Sequence, residues 1–468
     1  MINLIYDKSW HGFYENIKGD LKYAALLLFC LVLSILFRFY VRPSIRVQID
    51  GIVGLLINIY VSGYAVLYSL ILVIAHLILY RLQEDPREWG QVSFIVTFLY
   101  LGLLRIIYWF GLPRLEFITN AIQLIMTLRV IGFSYEMSDS KTGAITAVRP
   151  FNDEMTSFKA FNYLYSYTGI FTGPYYSYRT YHDAYSAGFN VHNVNVWELI
   201  KPKLRTLMWS LPLLVVMSYF APVKILQMEE SGDYHVLHLF FLSALAFIYL
   251  RMRIYSAWMV SESICAISGI GIYPTNQRSE PGAGPKRELD TNEQVTAYDT
   301  ATIDNLDIPN VENSNGFRSG MRAWNRTVQF WLANFVYKRS AKSIRMPYTM
   351  FVSAFWHGVH PGYFMSFLTI PLCTAAEDIL FKHFPADASG SRNRIFDLVW
   401  RFIRMRGFEM MACGFLLLTW TDTYRLWKNT YFWLHFLSVA IILLKTAGVF
   451  RNNRKHETTA PESHTKVE

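Results

Sequence analysis

The feature that most restricts this chain is a series of long runs in which charge is scarce. Leu21–Leu36, Gly51–Tyr80, Val92–Leu104, Thr206–Pro222, Val236–Leu250 and Thr430–Leu444 each approach or exceed the roughly 17–25 residues that cross a bilayer as a helix. Composition agrees. Of 468 residues, 53% are hydrophobic, 16% aromatic and 17% charged, and mean hydropathy is +0.21. Soluble domains carry about 25% charge. The predicted class is an all-α, polytopic integral membrane protein.

About twenty mixed, charged residues precede the first apolar run, which reads as a retained anchor rather than a cleavable signal. The net charge of +9 is not a nucleic-acid footprint, because basic residues gather at the ends of apolar runs. Arg38, Arg42 and Arg46 follow the first; Lys338, Arg339, Lys342 and Arg345 lie between two others; Arg451, Arg454 and Lys455 follow the last. Cytosolic loops of membrane proteins have this pattern. Cys30, Cys265, Cys373 and Cys413 sit in apolar segments without metal-ligand spacing and read as small buried hydrophobes. Residues 1–451 are expected to form one membrane-embedded unit, interrupted by a polar loop at about 274–320. A shorter polar stretch runs from Glu136 to Lys159, and 452–468 reads as a disordered tail.

Two runs are too long for one straight crossing. As helices, Gly51–Tyr80 and Met346–Leu380 would measure about 45 and about 52 Å against a hydrocarbon core of about 30 Å. Each must tilt, bend or split, and Pro361-Gly362 supplies a break in the second. About ten to twelve membrane-spanning or re-entrant helices are expected.

Histidines at 76, 238, 357, 360 and 435 fall within apolar runs. An ionisable group there is a functional candidate by default. His76, His238 and His435 read as satisfied structural residues. His357 and His360 stand beside the Pro-Gly break in Phe355-Trp356-His357-Gly358-Val359-His360-Pro361-Gly362, where freed backbone and water can enter. The same Trp-His-Gly near the N-terminus, at His11, has charged neighbours. A metal reading of His-x-x-His is weak, since no acid stands in that segment before Glu377. Asn325 lies at the edge of the apolar face of a helix predicted over Met321–Phe335. Asn325-Arg326-Thr327 is formally a glycosylation sequon, but a mid-helix position beside bulky aromatics does not suit one. Glu262, in another apolar run, is expected to pair with Arg251 or Arg253.

A neutral imidazole in a low-dielectric cavity is a good general base. An amide nearby can hold the carbonyl oxygen of an acyl donor as negative charge develops on it. Together they suggest acyl transfer to a hydroxyl. No G-x-S-x-G is present, so direct attack by the acceptor is the simpler route.

The pairing of Asn325, in Trp324-Asn325-Arg326-Thr327, with His357, in Trp356-His357-Gly358, resembles the membrane-bound O-acyltransferases. Thr172-Gly173-Pro174-Tyr175-Tyr176-Ser177-Tyr178-Arg179 resembles the Gly-Pro-aromatic loop of their lysophospholipid acyltransferase branch. Arg251–Trp258 and Gly269–Pro274 continue the likeness, and His357–Cys373 is most similar to the lysophosphatidylinositol acyltransferase members. The resemblance covers about Phe117 to Phe436. It implies an internal tunnel where cytosolic acyl-CoA meets a membrane lysophospholipid, most simply lysophosphatidylinositol. It also implies His357 as base, Asn325 as the orienting group, no cofactor besides the acyl-CoA co-substrate, and an endoplasmic reticulum membrane location. Gly173, Pro174, Tyr175, Tyr176, Tyr178 and Arg179 are candidates for contact with substrate, as are Trp324, Trp356 and His360. Another lysophospholipid, a sterol or a protein acceptor stays open, as does a transporter.

Overall fold

In a computed structural model the chain is described at residues 10–82, 85–143, 148–150, 155–185, 194–287, 295, 297–387 and 392–450. The described residues are almost entirely helical. Five long helices come first: α1 (Trp10–Tyr40), α2 (Pro43–Ser62), α3 (Val66–Leu82), α4 (Trp89–Ile106) and α5 (Phe117–Thr142). Short α6 (Ser157–Leu164) and α7 (Tyr178–Tyr185) precede α8 (Val196–Phe220), α9 (Pro222–Gln227) and α10 (Val236–Ser268). The C-terminal part holds α11 (Ile308–Asn313), α12 (Phe317–Ala323), α13 (Arg326–Phe335), α14 (Arg345–His357), α15 (Pro361–His383), α16 (Arg394–Leu417), α17 (Trp420–Asn429) and α18 (Trp433–Thr446). Among the described residues one two-stranded ladder pairs β1 (Tyr273–Pro274) antiparallel with β2 (Tyr298–Asp299).

Among the described residues seven helical stretches are long and apolar enough to cross a membrane, with Trp433–Thr446 a shorter apolar helix. Both over-long runs split as their lengths require. Gly63, at φ 52, separates α2 from α3, and Gly358 to His360 separate α14 from α15. With α2 and α3 counted separately and α18 added, nine helices among the described residues are candidates to lie in a membrane. The four cysteines are free and buried.

Helix α5 organises the N-terminal half. From Ile122 to Asp139 it is buried almost continuously, polar residues included, and α2, α3, α4, α6, α7 and α13 all pack on it. Inside a membrane protein, irregular backbone needs internal partners, and α5 supplies them. The Arg129 guanidinium donates to the carbonyls of Leu164 (3.1 Å), Ser166 (2.8 Å) and Thr168. Glu136 accepts the N–H groups of Tyr178 (3.1 Å) and Arg179 (3.2 Å) at the start of α7.

Two other buried acids do the same elsewhere. Glu377 on α15 accepts from the N–H groups of Phe317 and Arg318 at the start of α12, and from the Trp400 indole. Glu262 on α10 accepts the Asn305 N–H at 2.9 Å. A carboxylate suits a helix start, where free N–H groups and the positive end of the helix dipole converge.

Three readings change. Glu262 pairs with Lys203 at 2.6 Å rather than with an arginine on its own helix, because α8 lies along α10. Arg251 instead meets Glu312, and Arg253 meets Asp20 at 2.6 Å. Where described, the stretch read as a polar loop at 274–320 folds onto the helices, burying Ala283, Ile303, Val311 and Phe317. Its polar groups find partners on α10 and α15, which a sequence read locally does not reveal. The Glu136–Lys159 stretch begins inside α5, with Glu136 and Asp139 buried. The tail at 452–468 lies outside the described residues.

Candidate active site

Asn325 does not sit mid-helix. The predicted Met321–Phe335 helix is broken: α12 ends at Ala323, Trp324 is extended (φ −103, ψ 133), and Asn325 is left-handed (φ 50, ψ 48) before α13 begins. Asparagine is among the few non-glycine residues that adopt this conformation readily. The break is secured locally, since the Gln329 side-chain amide donates to the carbonyls of Met321 and Trp324. The Arg326 N–H donates to the Asn305 carbonyl at 2.9 Å, and Thr327 Oγ1 donates to the Asn305 side chain. Trp324 is half-buried, 5.7 Å from the Trp258 ring and 6.2 Å from the Tyr255 ring. The Asn325 amide is half-buried and makes no hydrogen bond with another described residue.

His357 is the last residue of α14. Its ring stacks on Phe367 (5.3 Å, 21°), meets Phe415 edge-on (5.0 Å, 85°), and lies 5.8 Å from Tyr363 and 4.6 Å from Trp356. Aromatic neighbours on several sides fix the ring plane without using its nitrogens. Like Asn325, His357 is half-buried and its ring makes no hydrogen bond with another described residue. Beyond it, Gly362 packs against α16 so closely that a Cβ there would lie 2.1 Å from the Gly414 carbonyl oxygen. His360 is exposed, its ring 5.7 Å from Tyr363. Among the described residues no cluster of three or more His, Cys, Asp or Glu side chains is arranged to hold a metal.

The two segments hang from one helix. The Trp331 indole on α13 donates to the Leu128 carbonyl (3.0 Å), and the Trp356 indole on α14 to the Leu124 carbonyl (3.1 Å). Those carbonyls lie one turn apart on α5, about 6 Å along its axis. Val328, Trp331, Leu332, Val352 and Trp356 share one apolar cluster with Leu128, Ile131 and Tyr175.

The Gly173–Arg179 loop adjoins the Asn325 segment. The Tyr175 N–H donates to Thr327 Oγ1 (3.1 Å), and Ser261 to the Gly173 carbonyl. Its tyrosine side chains, however, belong to the core. Tyr175, Tyr176 and Tyr178 are 1%, 0% and 2% exposed, so they offer a ligand almost no surface. Arg179 binds Asp183 (2.9 Å) and the Pro150 carbonyl (3.0 Å). Sequence reasoning passed over Gln329, Thr327, Asn305, Phe367 and Phe415, whose roles depend on contacts made across the fold.

The fold defines a polytopic helical membrane protein, and the site offers an imidazole and an amide of the kind that acyl transfer to a hydroxyl uses. The chain belongs to the membrane-bound O-acyltransferase family, whose profile matches residues 89–420, and it is an acyltransferase. It is 37% identical over 447 residues to the membrane-bound acylglycerophosphatidylinositol O-acyltransferase of Caenorhabditis elegans, covering 91% of this chain and 96% of that relative. To the protein of the same description from Danio rerio it is 33% identical, covering 94% and 95%. To that of Homo sapiens it is 32% identical, covering 94% and 97%.

Proposed function

We propose that this chain transfers a fatty acyl group from acyl-CoA to the free hydroxyl of lysophosphatidylinositol in the endoplasmic reticulum membrane, with His357 as general base and Asn325 as donor to the reacting carbonyl. One observation carries the assignment of roles. In an interior where most polar side chains have partners, His357 and Asn325 are half-buried without one among the described residues. Buried polar groups are normally hydrogen-bonded, so an uncommitted pair held by one helix is poised for a substrate.

The acceptor hydroxyl attacks the thioester carbonyl while His357 takes its proton, and the carbonyl oxygen becomes an oxyanion to which the Asn325 N–H donates. As the carbonyl re-forms, the C–S bond breaks and CoA leaves as thiolate, which recovers the proton from the imidazolium. A positioned base contributes about 10²–10⁴ in rate, and a single oxyanion donor about 10²–10³. No cofactor beyond acyl-CoA takes part in these steps.

The acceptor follows the relatives, whose names specify an acylglycerophosphatidylinositol. Membranes from cells expressing this chain, given one acyl-CoA and a panel of lysophospholipids, should transfer fastest to lysophosphatidylinositol. Faster transfer to the choline or serine lysolipid would replace the acceptor and keep the chemistry. No transfer to any lysolipid would return the sterol, protein and transporter readings.

A further inference from the structure

The turn that ends α14 has a defect written into its sequence. A helix leaves its last carbonyls without intrahelical donors. Here the Ala354 carbonyl is met by the Gly358 N–H at 3.0 Å. The His357 carbonyl has no such prospect, because the residue four positions on is Pro361, which carries no N–H. The donor comes from elsewhere. Arg105, in the last turn of α4, sends one guanidinium nitrogen to the Trp356 carbonyl (3.0 Å) and the His357 carbonyl (3.2 Å). Its other terminal nitrogen donates to the Asn120 side chain on α5. A cation at a helix C-terminus is also favoured by the helix dipole.

We infer that Arg105 is a positioning residue for acyl transfer: bridging α4, α5 and the end of α14, it fixes the backbone from which the His357 ring projects. This rests on the reading of His357 as the base. The aromatic ring contacts set the plane of the imidazole, whereas Arg105 sets where along the turn its Cα stands. Trp356 is held twice, by its indole on Leu124 and by its carbonyl on Arg105. Lysine would not replace arginine fully, since a point cation cannot serve both carbonyls and the Asn120 amide in the planar fork of a guanidinium.

The test uses the purified full chain, with kcat and KM for acyl-CoA and for lysophosphatidylinositol measured per monodisperse protein. Arg105→Ala should lower kcat by about 30–100-fold while both KM values stay within about threefold, the loss expected for a misplaced catalytic group. Arg105→Lys should recover part of it, and Asn120→Ala should show a smaller drop of the same kind. A purely structural cap would lower yield or melting temperature and leave kcat of the folded fraction unmoved. That result, or a raised KM for acyl-CoA with unchanged kcat, overturns the inference. Should Arg105→Ala fail to fold, Arg105→Lys decides by the same split: parental kcat overturns, lower kcat at unchanged KM supports. His357→Ala run in parallel separates the two levels. Its full activity would overturn both readings; its inactivity beside fully active Arg105 variants would overturn this one alone.

Discussion

The Gly173–Arg179 loop and the helix break at Asn325 lie against each other, joined by the Tyr175 N–H on the Thr327 hydroxyl. Both are irregular backbone inside a helical membrane protein, and both are rich in polar and aromatic residues. Their side chains have opposite fates. In the first, Tyr176 bonds Arg129 (3.0 Å) and the Thr168 carbonyl (2.9 Å), Tyr175 bonds Glu136 (3.3 Å), and Arg179 bonds Asp183. In the second, Gln329 satisfies the Met321 and Trp324 carbonyls and Thr327 donates to the Asn305 side chain, leaving the Asn325 amide uncommitted. The histidines divide the same way. His76 is fully buried, its Nδ1 on the Leu72 carbonyl (2.8 Å) and its Nε2 on Thr97 (3.1 Å), while His357 keeps both nitrogens clear of other described residues. On the proposed mechanism the saturated groups serve as scaffold, and His357 and Asn325 are the uncommitted groups left for substrate.

The sharpest way to break this division is His357→Ala, which should lower acyl transfer by about 10²–10⁴ at unchanged expression and membrane insertion. Full activity in well-expressed protein would remove the mechanism. Next is Asn325, where the left-handed backbone confuses the obvious substitution, because alanine strains φ as well as losing the amide. Asn325→Gly keeps the conformation and should still lower kcat by about 10²–10³, with a smaller effect on acyl-CoA binding. Parental activity in Asn325→Gly would reduce the residue to a backbone role. The saturated side should respond oppositely. Tyr176→Phe leaves the Arg129 guanidinium short of a partner and should cost about 1–3 kcal/mol of stability, read as a lower melting temperature. Its kcat per folded molecule should stay within about twofold, the size of an effect near 0.4 kcal/mol. A large rise in KM for the lysolipid with unchanged stability would put Tyr176 back among head-group contacts.

Much of this was legible in the residues. The charge-poor runs implied helices, the two over-long runs implied breaks, and a histidine beside Pro361-Gly362 stood out because apolar surroundings make an imidazole conspicuous. His76 reads as structural, and both its nitrogens have partners. His435 reads the same way but is only half satisfied, its Nε2 meeting the Thr369 hydroxyl (3.1 Å) on another helix while its buried Nδ1 has no partner among the described residues. The helix break at Asn325 was missed because the apolar periodicity continues through it, while the interruption is held by a side chain, Gln329, folding back. The tyrosine loop was misjudged as a surface for substrate. An aromatic-rich sequence with one cation reads alike whether it faces a ligand or the core.

By itself the sequence determined which segments are apolar, where proline forbids a backbone donor, and which residue types offer base and amide chemistry. All of these are properties of a residue and its near neighbours. Only the tertiary structure decided which polar groups are already satisfied. Lys203 took Glu262, Glu136 took the start of α7, and Arg105 took the orphan carbonyl of His357. Partners of that kind stand 42 to 252 positions apart in the chain. A hydrogen bond acts over about 3 Å, so no local pattern encodes it, and it is the packing of α4, α5 and α14 that separates the scaffold from the site.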